Sequence, residues 1–283
     1  MKRRITEELL QQYREYLYEE EKSERTIEKY LCDLRKLLHY AGGKEMTKKQ
    51  MIAYKEYLRQ EKKYRTTSIN SFLVAANRFF EYMGWYDLRV KTYKIQNSAF
   101  TPEEKDLTKE EFKKLVRTAK RRGNNRIAMI LQTICVTGIR VSELEAITVS
   151  AVRSGTATIY NKGKERDILL TRDLQAKLLW YIRRNGIKRG PVFQTNRGKA
   201  IDRTCIWRDM KKLCEEAGVD ETKVFPHNLR HLFAKALYQM DKDIVKLADI
   251  LGHSNIETTR IYIKTTFSEY RMQLERMRLL SGL

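Results

Sequence analysis

Residues 156–170 read TATIYNKGKERDILL. TATIY and RDILL alternate apolar and polar side chains on either side of Asn161-Lys162-Gly163-Lys164, the pattern of a β-hairpin. Outward from this hairpin the period changes to that of helices. Upstream, Thr108 followed by Glu111 forms a capping box that opens a helix near 109–121, and another is expected near 125–137. Downstream, helices are expected near 172–185, 202–217, 227–240, 243–251, 255–263 and 267–280. The predicted fold is therefore mainly α, with one small antiparallel β-sheet confined to the second of two domains.

The first domain reads as four helices. Ile5, Leu9, Leu10, Tyr13, Tyr16 and Leu17 recur at helical spacing. Ser23 caps a second helix striped by Ile27, Tyr30, Leu31, Leu34 and Leu38, which stops at Gly42-Gly43. Thr47 caps a third, and a fourth runs from about Thr66 to Met83. Residues 89–106 lose the periodicity and contain Pro102, which predicts a linker. The expected organisation is a helical domain over 1–88, a linker over 89–106 and a second domain over 107–283. With the first helix beginning near residue 5, no added N-terminal domain is expected ahead of it.

Composition narrows the partner. Among 283 residues, 57 Lys and Arg face 36 Asp and Glu, for a formal charge of +21. The excess divides into +7 over residues 1–100 and +14 over the remainder, so both domains are basic rather than one tail. That distribution fits two folded lobes meeting a polyanion. The four cysteines, Cys32, Cys135, Cys205 and Cys214, lack metal-ligand spacing and read as small buried residues of a reducing compartment. No run of about 18 apolar residues spans a membrane, and no secretory leader opens the chain, so a cytoplasmic, nucleoid-associated protein is expected.

Three segments carry chemistry. TGIRVSEL (137–144) places Arg140 and Glu143 on one helical face. HNLRH (227–231) does the same for His227 and Arg230, with His231 one turn from His227. LGHSNIETTRIY (251–262) carries His253 and ends at Tyr262. Taken singly, each has a plain alternative: a surface ion pair, a zinc-binding histidine pair, or one packed tyrosine among 16. The zinc reading lacks the glutamate of H-E-x-x-H and places a cation beside the histidines. Taken together, with Lys162 in the hairpin turn, two arginines, a lysine, two histidines and a tyrosine suit metal-free phosphoryl transfer. Guanidinium forks match the non-bridging oxygens of a phosphodiester. A phenol, with a pKa of about 10, needs a base or cationic surroundings to attack.

These segments, in this order, resemble the boxes of the tyrosine recombinase (phage integrase) family, which includes Xer-type recombinases and mobile-element integrases. The resemblance covers about 107–270 and is weaker over the first domain. It implies that Arg140 and Arg230 clamp the scissile phosphate and that Glu143 supports the site. Lys162 is implied as general acid for the 5′-oxygen, with Lys164 a close rival. His227 is implied as acid/base toward the nucleophile and His253 as a phosphate ligand, while His231 reads as structural. Tyr262 is implied to attack, leaving a 3′-phosphotyrosyl link and a free 5′-hydroxyl without ATP, metal or other cofactor. It further implies a C-shaped clamp on double-stranded DNA, a homotetramer passing through a Holliday junction, and a last helix that docks on a neighbouring protomer. A type IB topoisomerase-like strand transferase and a non-catalytic DNA-binding regulator of the same fold remain the alternatives.

Overall fold

A computed structural model describes residues 3–95, 106–161, 163–195, 197–263 and 267–277. The chain divides into two compact units, Met1–Asn97 and Ser98–Leu283. It is mostly helical with one two-stranded antiparallel sheet, as the periodicities predict.

In the first unit, four helices form: α1 (Glu7–Glu19), α2 (Glu24–Ala41), α3 (Lys48–Gln60) and α4 (Thr66–Tyr82). Three begin at side-chain caps. Thr6 accepts from the Leu9 amide, Ser23 from that of Thr26, and Thr47 exchanges bonds with Gln50 in a capping box. Leu10, Tyr13, Leu34, Met51, Tyr54, Leu73, Phe79 and Phe80 fill the core. Each large apolar side chain so buried contributes about 1.5–3 kcal/mol. Cys32 departs from its expected burial: the neighbours Leu31 and Leu34 face the core, and Cys32 points to solvent. Cys135 and Cys205 are half-buried and Cys214 is buried.

The segment expected to be linker is, at its start, fastened to the first unit. Asn77 on α4 accepts from the Val90 amide at 2.9 Å and donates to its carbonyl at 2.8 Å. About two turns earlier, Asn70 does the same for Tyr93, at 2.8 Å each way. Each carboxamide thus replaces a missing strand partner, since it carries one donor and one acceptor side by side. The rest of that segment, 96–105, lies outside the described residues.

The second unit is built around α6 (Asn125–Thr137), which is buried on nearly every side. It packs on α5 (Lys109–Arg121), α8 (Arg172–Arg184), α9 (Arg203–Ala217) and α10 (Pro226–Asp241). The buried hydroxyls of Thr133 and Thr137 donate to the carbonyls one turn earlier, so no polar cost remains. The capping box of Thr108 and Glu111 opens α5 as expected. A short α7 (Val149–Ser154) precedes the hairpin. In the hairpin, β1 (Thr156–Asn161) pairs with β2 (Lys164–Leu169), Thr156 opposite Leu169 and Asn161 opposite Lys164. That register leaves a two-residue connection in which Gly163 adopts φ 72°, a conformation glycine adopts at no steric cost. After α10 come α11 (Ile244–Leu251) and α12 (Ile256–Arg260), then a 3-10 turn over Ile261–Ile263 and α13 (Phe267–Arg276). The expected end of the last helix beyond residue 277 lies outside the described residues.

Gly138 ends α6 with φ +66°, and a Cβ there would lie 2.4 Å from Cδ1 of Phe233 on α10. Gly138→Ala therefore combines a left-handed backbone with a clash between two central helices. The substitution is expected to destabilise the second unit by about 3 kcal/mol. Urea denaturation would register this, and an unchanged midpoint would refute the packing argument.

Candidate active site

Arg140 follows the Gly138 turn and caps a 3-10 helix, Val141–Ala146, rather than opening the α-helix expected from TGIRVSEL. Glu143, 6% exposed, is the centre of this corner. Its Oε2 accepts from the Arg140 amide at 2.9 Å and its Oε1 from Arg140 Nη1 at 2.7 Å. A residue missed in the sequence, Arg166 on β2, reaches the same carboxylate, with Nη2 2.8 Å from Oε2 and Nη1 3.4 Å from Oε1. Burial raises the Glu143 pKa, but the Arg140 amide and the two guanidiniums outweigh it and hold the carboxyl below its ordinary value.

Helix α10 begins with Pro226 and brings in the second segment. Arg230 is 1% exposed. It donates to the Gly138 carbonyl at 2.7 Å and the Leu251 carbonyl at 2.6 Å, the carbonyls where α6 and α11 end. Its Nη2 lies 2.9 Å from His253 Nε2. Nε of Arg230 is buried and has no hydrogen-bond partner among the described residues. Burial first, and then the Arg140 charge, push this guanidinium down to about 10, so it stays charged at neutral pH.

Because arginine only donates, His253 Nε2 must be the acceptor, which places the ring proton on Nδ1. Nδ1 lies 2.9 Å from Thr259 Oγ1, the buried hydroxyl that receives it. In this tautomer Nε2 has no hydrogen to give to a phosphate. That bond requires the proton to move to Nε2.

Tyr262, in the 3-10 turn after α12, is 3% exposed and packs with Ala234, Leu247 and Leu251. Three histidines surround its ring, with centroids 4.6 Å away for His231 and 5.5 Å for both His227 and His253. Its hydroxyl lies 3.4 Å from Nε2 of His227. The outer edge of His227 is open, but desolvation of the ring and then the charges of Arg230 and Arg140 hold its pKa below the ordinary value. A neutral imidazole is the form that can take a phenolic proton. His231 is buried, 3.8 Å from Asp106, which also pairs with Lys235. Lys164 is exposed on β2, and Lys162 lies outside the described residues. The structure thus brings together Arg140, Glu143, His227, Arg230, His253 and Tyr262 and adds Arg166 and Thr259. Among the described residues no group of three or more His, Cys, Asp or Glu is placed to hold a metal.

The site's histidines set a pH limit on stability. Burial, with the nearby guanidiniums, pushes His253 down to about 4, and burial pushes His231 down to about 4 against the pull of Asp106. In the unfolded chain both titrate near 6.5. Between pH 6.5 and 4 the unfolded chain therefore binds protons that the folded one refuses. Their full contribution is present above 6.5 and is lost as pH falls toward 4, by up to about 3 kcal/mol per histidine. Urea midpoints should fall across that window, and less steeply for His231→Asn/His253→Asn. Equal slopes for the two proteins would disprove this.

Comparison with known proteins places the fold in one class. Residues 105–269 match the phage integrase family and residues 10–85 match the phage integrase N-terminal SAM-like domain. The chain belongs to the phage integrase family, a family of site-specific DNA recombinases. It is 30% identical to tyrosine recombinase XerA of Pyrococcus furiosus over 99% of this chain and 97% of that one. A crystal structure of XerA recombinase, 28% identical, is covered completely by 98% of this chain with a TM-score of 0.54. A lambda integrase tetramer bound to a Holliday junction shares the fold, with a TM-score of 0.72 at 17% identity over 90% of this chain and 76% of that one. No helix among the described residues is long and apolar enough to cross a membrane.

Proposed function

We propose that this recombinase cleaves and rejoins double-stranded DNA through a 3′-phosphotyrosyl intermediate, with Tyr262 as nucleophile. The observation that carries the reading is the Tyr262 hydroxyl 3.4 Å from a histidine held neutral, beside two guanidiniums, Arg140 and Arg230. Tyr262 donates its proton to His227 as its oxygen attacks phosphorus. Arg140 and the unpartnered Nε of Arg230 offer hydrogen bonds to the non-bridging oxygens, where charge grows in the pentacoordinate transition state. His253 orients Arg230 while its Nε2 accepts from the guanidinium, and binds the phosphate in place of that contact once Nε2 carries the proton. Lys162, between Asn161 and Gly163, protonates the departing 5′-oxygen, with Lys164 as its rival. The bond energy stays in the phosphotyrosine, so rejoining needs neither ATP nor a metal.

In the proposed organisation, residues 1–88 form a core-binding domain, 89–106 a linker and 107–283 the catalytic domain. Exchange of both strands calls for four protomers and a Holliday junction, the assembly in which lambda integrase is seen. The test is covalent capture on sheared genomic DNA under denaturing conditions, followed by sequencing. Capture at a few discrete sites is expected. Capture spread evenly along the DNA points to a topoisomerase, and none at all overturns the reading.

A further inference from the structure

Arg166 has no role in the chemistry outlined above, yet it sits at the junction of three site elements. It leaves β2 four residues after Lys162 and grips Glu143 with both terminal nitrogens. Its side chain lies directly on Gly252, where an added Cβ would be 2.5 Å from Nη1 and 2.8 Å from Cδ. Gly252 closes α11 and immediately precedes His253. The side chain is only 14% exposed, and its Nε is buried without a hydrogen-bond partner among the described residues.

The electrostatic consequence concerns Arg140. A buried carboxylate with one cationic partner forms a closed pair and cancels that partner's field at a nearby anion. Among the described residues both Arg140 and Arg166 pair with Glu143, so these three side chains together leave one positive charge at the corner. Arg166 is largely enclosed, whereas Arg140 is 30% exposed and within reach of a ligand. We infer that Arg166 is a positioning residue that neutralises Glu143, leaving the charge of Arg140 available to a phosphate oxygen. The same grip ties the hairpin bearing Lys162 to the turn bearing His253.

This inference rests on reading the site as a phosphate clamp, and one titration separates the two. Inorganic phosphate is added to the full chain while arginine Nε–H resonances are followed by NMR. The proteins are wild type, Arg166→Ala, Arg166→Lys and Arg166→Ala/Glu143→Gln, each first checked for a cooperative melt. Arg166→Ala should bind phosphate about tenfold more weakly, the scale of one unit charge removed from a partly screened site. The double variant, with its net charge restored, should return to within about threefold of wild type. Arg166→Lys, which keeps the charge and loses the fork, should also bind within about threefold while forming the covalent DNA complex more slowly. A double variant as weak as Arg166→Ala overturns the inference alone, because a purely structural or directly ligating arginine is not rescued by removing a carboxylate. If Arg166→Ala does not fold, loss of binding in Arg166→Lys overturns it instead. A wild-type protein that binds no phosphate at its arginines overturns the clamp and the inference together.

Discussion

Tyr262→Phe is expected to lose covalent attachment to DNA completely while keeping its affinity for the duplex. The substitution removes one oxygen and leaves the ring where His227, His231 and His253 pack around it. The hydroxyl makes a long contact, 3.4 Å, so its loss costs less than about 1 kcal/mol of stability. Chemistry suffers without such mitigation, because no other atom of the side chain can attack phosphorus. A duplex found by covalent capture, nicked near the cleavage point, traps the adduct formed by the wild type. On a denaturing gel the Phe variant should show none, a reduction of at least about 10⁴-fold. In a mobility-shift assay the two proteins should agree within about threefold. An adduct from the Phe variant would assign the attack to another residue.

The second large effect is expected at Arg230, where activity and stability should separate. Arg230→Met removes the guanidinium proposed to bind the scissile phosphate, and losing such a preorganised donor costs about 10³-fold or more in rate. For stability two changes offset each other. The bonds from the charged guanidinium to the carbonyls of Gly138 and Leu251 disappear, at about 1.5 kcal/mol each or somewhat more. Against that, a guanidinium pushed from 12.5 to about 10 by burial is held at a disadvantage of about 3 kcal/mol, which an apolar side chain does not suffer. The melting temperature should therefore move by only a few degrees while covalent capture collapses. A melt lowered by more than about 10 °C would mean that the cation serves mainly to hold α6 and α11 together.

The helices and the hairpin were legible because their signals are local. The stripe of Ile27, Leu31 and Leu34, the cap at Thr108 and the alternation around Gly163 each act within a few residues, and the structure follows them. Arg140, Glu143, His227, Arg230, His253 and Tyr262 were legible through three short segments, which the fold brings to one place. What escaped was non-local or short. Arg166 reads as a solvated charge on a strand, and only its partner Glu143, 23 positions away, gives it meaning. Asn70 and Asn77 read as ordinary helix polar residues, although they bind Tyr93 and Val90. The six-residue helix Val149–Ser154 is too short for a period to show. The segment after Gly138 has helical spacing but winds as a 3-10 helix, with the Glu143 carboxylate folded back onto the Arg140 amide.

The packing of Tyr262 bears on how the reaction would end. Its ring stands among three imidazoles and the side chains of Ala234, Leu247 and Leu251, with little room for solvent. A phosphotyrosine formed there would face two competing acceptors, water and the freed 5′-hydroxyl. Bulk water is about 55 M, yet a hydroxyl held at the site can reach effective molarities of 10⁵ M or more. Limited access lowers the water side of that ratio further. On the mechanism proposed for Tyr262, the depth at which its ring is set would govern fidelity as well as rate, deciding whether a cut strand is resealed or left broken.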